Sequence, residues 1–153
     1  MPSSTDILRE QRLDELLAAI GARTPAPASG VAVALTAALA AALAELAARF
    51  AEDDAAAERA RKLVSELLRL GDEDAAAYTA YMAEPNEETR AEIVRVPEEI
   101  AARADEAVAL AGSVRGRLRP SVAGDAEAAA ELGRAAAGVA RRLAEINRRT
   151  SGS

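Results

Sequence analysis

The chain has 153 residues and a formal net charge of −6; half of it is apolar, yet only 2% is aromatic and 42 residues are alanine. Alanine favours long, closely packed helices, whereas sheets favour β-branched and aromatic residues, so this composition disfavours a sandwich or a barrel. Histidine and cysteine are absent, which excludes disulfides, thiol nucleophiles, imidazole bases and zinc sites built from these residues. The acidic balance also disfavours nucleic-acid binding.

The length fits a single domain over residues 1–153, with an ordered core over about 5–149. The N-terminus has neither a basic nor an apolar targeting region. One uncharged stretch spans residues 24–44, but prolines open it, and residues 31–44 are fewer than the ~20 apolar residues that cross a bilayer. We therefore expect a buried core helix in a cytoplasmic protein with no membrane partner.

The first predicted helix runs from a Ser4/Thr5 cap to Ile20 and stops at Gly21. A Pro-Ala-Pro linker over residues 24–29 follows in extended geometry. The second helix, from Gly30 to Phe50 or Ala51, carries one stripe of bulky residues on an alanine cylinder. Because other helices can approach such a cylinder from several sides, we expect it to be the central helix.

The third predicted helix begins at the caps Asp53 and Asp54, and Gly71-Asp72 stops or bends it before a short fourth segment that ends at Met82. Asp72 is interpreted most simply as a cap after Gly71.

The fifth helix follows the turn at Pro85-Asn86, is kinked or restarted at Pro97, and ends near Val114. An Arg-Gly loop over residues 112–121 leads to a last helix from near Asp125 to Arg149. No strand pattern competes with these helices. The sequence therefore predicts an all-α, single-domain bundle of about six helices around a central alanine-rich helix.

Four stretches in the same order carry a resemblance to a known family. The segment that begins Pro25-Ala-Pro-Ala-Ser-Gly-Val resembles a Pro-Ala-Pro-Gly-Gly-Gly-Ser opening, and residues 72–78 match an Asp-x-x-Ala-Phe/Tyr segment. Residues 95–101 resemble a Val-Pro-x-x-Val-Ala kink, and 124–126 with 146–147 look like a Ser-Asp-Ala-Gly helix that ends in Ile-Asn. From about Leu8 to Asn147, the chain resembles the formimidoyltetrahydrofolate cyclodeaminase and methenyltetrahydrofolate cyclohydrolase family.

The resemblance implies an all-helical homodimer that acts on one-carbon tetrahydrofolates. Cyclodeaminases of this family close formimino-tetrahydrofolate to the methenyl form with loss of ammonia, and cyclohydrolases open the methenyl form to formyl-tetrahydrofolate. Both reactions need proton transfer near a tetrahedral carbon, which a carboxylate can provide without histidine or cysteine. No covalently bound cofactor and no metal is expected, and a tetrahydrofolate derivative is the implied small-molecule substrate.

The chain also departs from the family pattern. Ala28-Ser29-Gly30-Val31 stands where the family has Gly-Gly-Gly-Ser, and glycines there allow backbone N–H groups to approach a ligand closely. The lysine-rich loops that follow the central helix and the tyrosine segment are missing or shortened, and Leu143 stands where an asparagine is expected. Cations that would meet the glutamate tail of folate are therefore largely lost.

The candidate ligand-binding residues surround the start of the central helix: Pro27, Ala28, Ser29, Gly30 and Val31. Backbone amides there can hold an anion or oxyanion. The alternative is an ordinary N-cap at Ser29-Gly30.

Three residues are the catalytic candidates. Asp125, beside Gly124, is the leading one for general acid/base chemistry or for binding a pterin-like donor edge; its alternative is an N-cap of the last helix. Asp74 and Tyr78 are four residues apart on one helix face, so that a carboxylate and a phenol address one ligand. Their alternative is a solvated aspartate and a half-buried core tyrosine. We expect the pocket beside the loop at residues 27–31, with all three contributing.

The other small and basic segments have less specific interpretations. Gly133 and Gly138, with alanines between them, offer a smooth surface to the central helix or to a partner, and we expect a homodimer. Arg115, Arg117 and Arg119 either bind a carboxylate or phosphate or form a solvated loop.

The sequence thus predicts a cyclodeaminase- or cyclohydrolase-like enzyme that makes or breaks a C–N bond in a one-carbon tetrahydrofolate or related small molecule. Two alternatives remain: a repurposed homologue that acts on a non-folate amine or amide metabolite in specialised metabolism, and a non-catalytic helical dimer that binds a ligand or partner.

Overall fold

The computed structural model describes residues 7–150, and its regular structure is entirely helical in that range. Six helices follow one another along the chain: α1 (Ile7–Glu10), α2 (Leu13–Gly21), α3 (Ser29–Phe50), α4 (Asp54–Ala83), α5 (Glu87–Arg115) and α6 (Pro120–Thr150). The prediction of an all-α bundle of about six helices is confirmed, although several of the predicted boundaries are wrong.

The alanine-rich helix α3 lies at the centre and packs against α4, α5 and α6. Its buried face is almost entirely alanine, so neighbouring backbones approach closely, and larger side chains such as Leu63, Leu67 and Ile100 fill the core from α4 and α5. By length and composition alone α3 is apolar enough to cross a membrane, but much of it is buried inside the bundle.

The break predicted at Gly71-Asp72 is wrong, because α4 continues through both residues. Gly71 is buried, and a Cβ atom built there would lie 2.5 Å from Leu8 Cδ1 and 3.2 Å from Ala34 Cβ. The glycine therefore permits close packing of α1 and α3 on α4. Asp72 is not a cap of its own helix; its carboxylate accepts a hydrogen bond of 3.2 Å from the backbone N–H of Leu8.

The single N-terminal helix predicted up to Ile20 is instead two helices, α1 and α2. Arg12 adopts an extended conformation (φ −65°, ψ 140°) that interrupts the helical hydrogen bonds and starts α2. The predicted caps Ser4 and Thr5 lie outside the described residues.

Pro97 lies inside α5 and neither restarts nor ends the helix. A proline has no N–H for the carbonyl four residues earlier, here that of Ile93. The side-chain Nδ2 of Asn147 on α6 donates to this oxygen at 2.6 Å. The carbonyl that the proline leaves without an intrahelical donor is thus hydrogen-bonded by a neighbouring helix, and α5 remains continuous.

The last helix begins at Pro120, earlier than predicted, and the loop that precedes it shortens to a few residues. Proline suits the first turn of a helix because its missing N–H has no intrahelical acceptor there. Asp125 lies in the second turn of α6, so its interpretation as an N-cap is wrong.

Candidate functional site

A cavity of about 210 Å³ opens where the N-terminus of α3 meets the last third of α4, the first half of α5 and the end of α6. Each of these four helices contributes residues to its wall. The lining residues are Pro25, Ala26, Ala28, Ser29, Gly30, Asp74, Tyr78, Ile93, Pro97, Leu143 and Asn147.

The start of α3 has no side-chain cap. Ala28 is the N-cap residue (φ −144°, ψ −141°), and its methyl group cannot accept a hydrogen bond. The first intrahelical bond runs from the N–H of Ala32 to the carbonyl of Ala28 at 3.1 Å, so the N–H groups of the three residues before Ala32 have no acceptor within the helix. The alternative interpretation of Ser29-Gly30 as an N-cap is therefore wrong, since Ser29 is the first residue inside the helix.

Gly30 lies directly against the carboxyl group of Asp74. A Cβ atom built on Gly30 would be 1.9 Å from Asp74 Oδ2, 2.2 Å from its Cγ and 2.5 Å from its Oδ1. These separations are far below van der Waals contact, so only glycine allows this carboxylate to occupy its present position. Gly30, the glycine of the family pattern that this chain keeps, thus makes room for the side chain of Asp74 on α4.

Asp74 is partly buried, and desolvation raises the pKa of its carboxyl to about 6. Among residues 7–150 the carboxylate takes part in no hydrogen bond or ion pair, whereas about half of the other acidic side chains in that range pair with arginine. A carboxyl group that changes protonation state near neutral pH, in a cavity and without a protein partner, is typical of acid/base sites.

Tyr78 lies one helical turn after Asp74 on the same face of α4 and lines the same cavity. Its phenol adds a group that both donates and accepts hydrogen bonds. The predicted pairing of a carboxylate and a phenol around one space is therefore present, and the start of α3 supplies backbone N–H donors beside it.

Asp125 does not line this cavity. The residues that α6 contributes are Leu143 and Asn147, which are 18 and 22 positions further along the helix and thus about 27 and 33 Å away at 1.5 Å per residue. Within one protomer Asp125 therefore does not contribute to the cavity beside the α3 loop, and its catalytic role stays a prediction. The family-like Gly124-Asp125 pair belongs to the opposite end of the bundle.

The five candidate ligand-binding residues are divided between two cavities. Ala28, Ser29 and Gly30 line the cavity with Asp74, whereas Pro27 and Val31 face a second, larger cavity of about 610 Å³ on the other side of the loop. That second cavity lies between α4 and the helices α1 and α2, and its wall is mostly alanine and leucine.

The sequence prediction missed the wall opposite Asp74, which Ile93, Pro97, Leu143 and Asn147 form. One signal was available: a proline inside a helix leaves a carbonyl that needs a donor, and the Ile-Asn pair of α6 supplies one. The helix that provides this donor is determined by how the helices pack, and helical periodicity in the sequence does not predict that packing.

The fold and the cavity define a class of protein: a helical bundle with a cavity that is lined by one desolvated carboxyl group, a phenol and the first backbone N–H groups of a helix. Within residues 7–150 no group of three or more acidic side chains is placed to hold a metal ion. The family model of formiminotransferase-cyclodeaminase matches residues 12–151. The chain therefore belongs to the formiminotransferase-cyclodeaminase family, which confirms the resemblance seen in the sequence. A comparison with individually curated proteins gives no match.

Proposed function

We propose that the protein is an enzyme that makes or breaks a C–N bond in a one-carbon tetrahydrofolate or related small molecule, with Asp74 as its general acid/base. The observation that carries this proposal is the unpartnered, desolvated carboxyl of Asp74 in a cavity beside free backbone N–H groups. Family membership supplies the reaction class.

The chemistry needs a proton to move twice. In ring closure, an amine nitrogen attacks the formimino carbon and forms a C–N bond; the amino group of the resulting tetrahedral carbon then takes a proton and leaves as ammonia. In hydrolysis, water loses a proton as it adds to the methenyl carbon, and a ring nitrogen gains one as its C–N bond breaks. A carboxyl with a pKa of about 6 can accept and return a proton near pH 7. Tyr78 orients the substrate by hydrogen bonding.

The test follows the loss of methenyl absorbance when saturating 5,10-methenyl-tetrahydrofolate is mixed with the protein. We expect Asp74→Asn to lower the rate by about 10²- to 10⁴-fold, the usual contribution of a positioned acid/base. Asp125→Asn, the same change at the other end of the bundle, serves as the matched control and should retain the rate. If Asp125→Asn abolished turnover and Asp74→Asn did not, the assignment would be wrong; if neither variant nor wild type accelerated the loss, the proposed chemistry would be wrong.

We also propose that the protein is a homodimer that buries two exposed apolar stripes on the neighbouring helices α3 and α6. The stripes consist of Leu39, Leu46 and Phe50 on α3 and of Leu132, Val139 and Ile146 on α6, each between 37% and 62% exposed. The small-residue surface predicted at Gly133 packs against α5 of the same protomer, since a Cβ there would lie 2.6 Å from Val108 Cγ2. Gly138, by contrast, has open space around it.

Light scattering tests the dimer. The double variant Leu39→Glu/Val139→Glu should be monomeric, whereas Leu13→Glu, at an equally exposed leucine outside the stripes, should leave the mass unchanged. A monomeric mass for the wild-type protein at micromolar concentration would contradict the proposal.

A further inference from the structure

We propose that the second cavity, between α4 and the helices α1 and α2, binds an uncharged apolar molecule with a flat or extended skeleton, and that α2 is its movable cover. This cavity has a volume of about 610 Å³ and lies across the loop before α3 from the cavity that contains Asp74. Three observations carry the proposal: the size of the cavity, the apolar character of its wall and the weak anchoring of α2.

The size and shape of the cavity suit a whole small molecule. Its volume of about 610 Å³ lies within the ~300–1,000 Å³ of sites that enclose drug-sized ligands. One side of it is a single face of α4, formed by Asp72, Ala75, Ala76, Thr79, Ala80 and Ala83. At 1.5 Å per residue this face is about 16 Å long. Because four of its six residues are alanine, the face is a smooth wall on which a flat or extended ligand can lie.

The chemistry of the wall favours an uncharged ligand. Ten of the thirteen lining residues are apolar and none is basic. Asp72 accepts the backbone N–H of Leu8 at 3.2 Å, and the hydroxyl of Thr79 donates to a backbone carbonyl of α4 at 2.8 Å. Arg9 and Arg12, which adjoin lining residues in the sequence, are exposed and do not line the cavity. An anion would therefore lose its hydration without meeting a cation, and a cation would compete with the hydrogen bond that anchors α1. Apolar surface, by contrast, gains free energy when it leaves water.

The helix α2 is attached to the bundle at few points. It has nine residues, and Leu16 is the one that is buried, whereas Leu13 and Leu17 are exposed. Extended residues stand on both sides of it, Arg12 at φ −65°, ψ 140° and Ala22 at φ −75°, ψ 157°, and its first turn has no side-chain cap. Segments with few buried contacts open at the lowest cost in free energy. A short helix that is held by one buried side chain between two extended residues can therefore move away from α4 and return, which gives a ligand its way in.

Two fluorescent probes with the same ring skeleton test the ligand class. N-phenyl-1-naphthylamine is uncharged, and 8-anilino-1-naphthalenesulfonate carries an added sulfonate; both fluoresce more strongly in apolar surroundings. We expect the uncharged probe to bind at least about tenfold more tightly, because no lining cation compensates the sulfonate for its lost hydration. Equal binding of the two probes, or tighter binding of the sulfonate, would overturn the inference.

Substitutions on α4 locate the bound probe. Ala75→Phe fills part of the cavity with a phenyl ring and should weaken binding of the uncharged probe at least about tenfold. Ala83→Phe should do the same from the exposed end of α4, where a larger side chain does not disturb the core. Ala77→Phe is the matched control, since this alanine lies on the α5 side of the same helix and outside the cavity. Unchanged binding in both Ala75→Phe and Ala83→Phe would show that the probe binds elsewhere, and the inference would be wrong.

Competition separates this site from the cavity that contains Asp74. Asp74→Asn should leave binding of the uncharged probe unchanged, and saturating 5,10-methenyl-tetrahydrofolate should not displace it. Displacement would make the second cavity part of the substrate site and would overturn the inference. None of these readouts depends on turnover, so failure of the proposed reaction and failure of this inference are distinguishable.

Hydrogen exchange tests the role of α2 as a cover. The bound probe should slow amide exchange within Leu13–Gly21 and leave exchange in the middle of α5 unchanged, because only α2 would close over the ligand. Exchange in α2 that the probe does not alter would contradict the cover.

Discussion

The two ends of α3 satisfy their polar groups in opposite ways. At the C-terminal end, Asp53 caps α4 by accepting the N–H of Ala56 at 2.9 Å, and Arg117 binds both the Asp53 carboxylate at 2.6 Å and the carbonyl of Ala51 at 3.3 Å. At the N-terminal end, the cap residue Ala28 offers no side-chain acceptor, and Asp74 has no hydrogen-bond or ion-pair partner among residues 7–150. The polar groups at the C-terminal end of α3 are thus bonded to one another, whereas the backbone N–H groups and the carboxyl at its N-terminal end are not.

The two aspartates show the consequence directly. The hydrogen bond from Ala56, followed by the one from Arg117, lowers the pKa of Asp53, whereas desolvation raises the pKa of Asp74 to about 6. One aspartate is therefore held as an anion at one end of the bundle, whereas the other changes its protonation state near pH 6. Of the three loop arginines that the sequence offers as an anion site or a solvated loop, two pair within the protein: Arg117 with Asp53 and Arg115 with Glu127.

The largest stability effect should come from Asp74→Asn, which removes the unpartnered charge. Because the folded pKa of about 6 exceeds the ordinary value of 3.8, the protonated carboxyl contributes stability below pH ~4, and this contribution is lost as the pH rises through 6. At pH 8 we expect the variant to be more stable than wild type by up to about 3 kcal/mol, from about 1.4 kcal/mol per pH unit. Urea unfolding measures the difference.

The pH dependence is the control for that variant. The gain in the free energy of unfolding should be near zero at pH 4, should grow through pH 6 and should level off above pH 7. A gain that is independent of pH, or a loss at pH 8, would show that Asp74 is not destabilised by its surroundings. The two ends of α3 would then not differ in how they affect the pKa of their aspartates.

A second test concerns the wall opposite Asp74. Asn147→Ala removes the donor to the Ile93 carbonyl, and a buried acceptor left without a partner costs about 1–3 kcal/mol. Pro97→Ala returns a backbone N–H to the same oxygen, so Asn147→Ala should cost less in that background. The double-mutant cycle measures this coupling by chemical unfolding. Strict additivity would mean that the asparagine does not compensate for the proline.

The fold is predictable from the sequence because alanine content and helical periodicity are local signals that packing does not override. Asp74, Tyr78 and Gly30 are also predictable as neighbours, because the two α4 side chains are one turn apart and the family motif marks the start of α3. Gly71 and Asp125 are not predictable in this way. Glycine often ends a helix and aspartate often begins one, but Gly71 allows close packing inside α4, and Asp125 lies after a helix start at Pro120.

A third test asks whether Gly30 holds the site open. Gly30→Ala places a Cβ where the Asp74 carboxylate lies, so the carboxylate must move or α3 must shift; overpacking of this kind costs about 1–3 kcal/mol. We expect lower stability and a slower loss of methenyl absorbance. Gly138→Ala is the matched control, since nothing lies within 4 Å of the added methyl group and alanine is the better helix former by about 1 kcal/mol. An unchanged rate in Gly30→Ala would show that the carboxylate has room to rearrange.

The smallest effect should come from the stabilised end of α3. Asp53→Ala removes the cap of α4 and the partner of Arg117, whereas Asp53→Asn keeps a capping oxygen and removes only the charge. Because the folded pKa of Asp53 lies below 3.8, its contribution is present above pH ~4 and is lost as the pH falls through the folded pKa, the opposite sign to Asp74. Thermal melts at pH 7 should rank wild type above Asp53→Asn and Asp53→Ala lowest, and the differences should narrow below pH 4. If Asp53→Asn melted as low as Asp53→Ala, the ion pair with Arg117 rather than the cap would stabilise this end, and added salt would then reduce the loss.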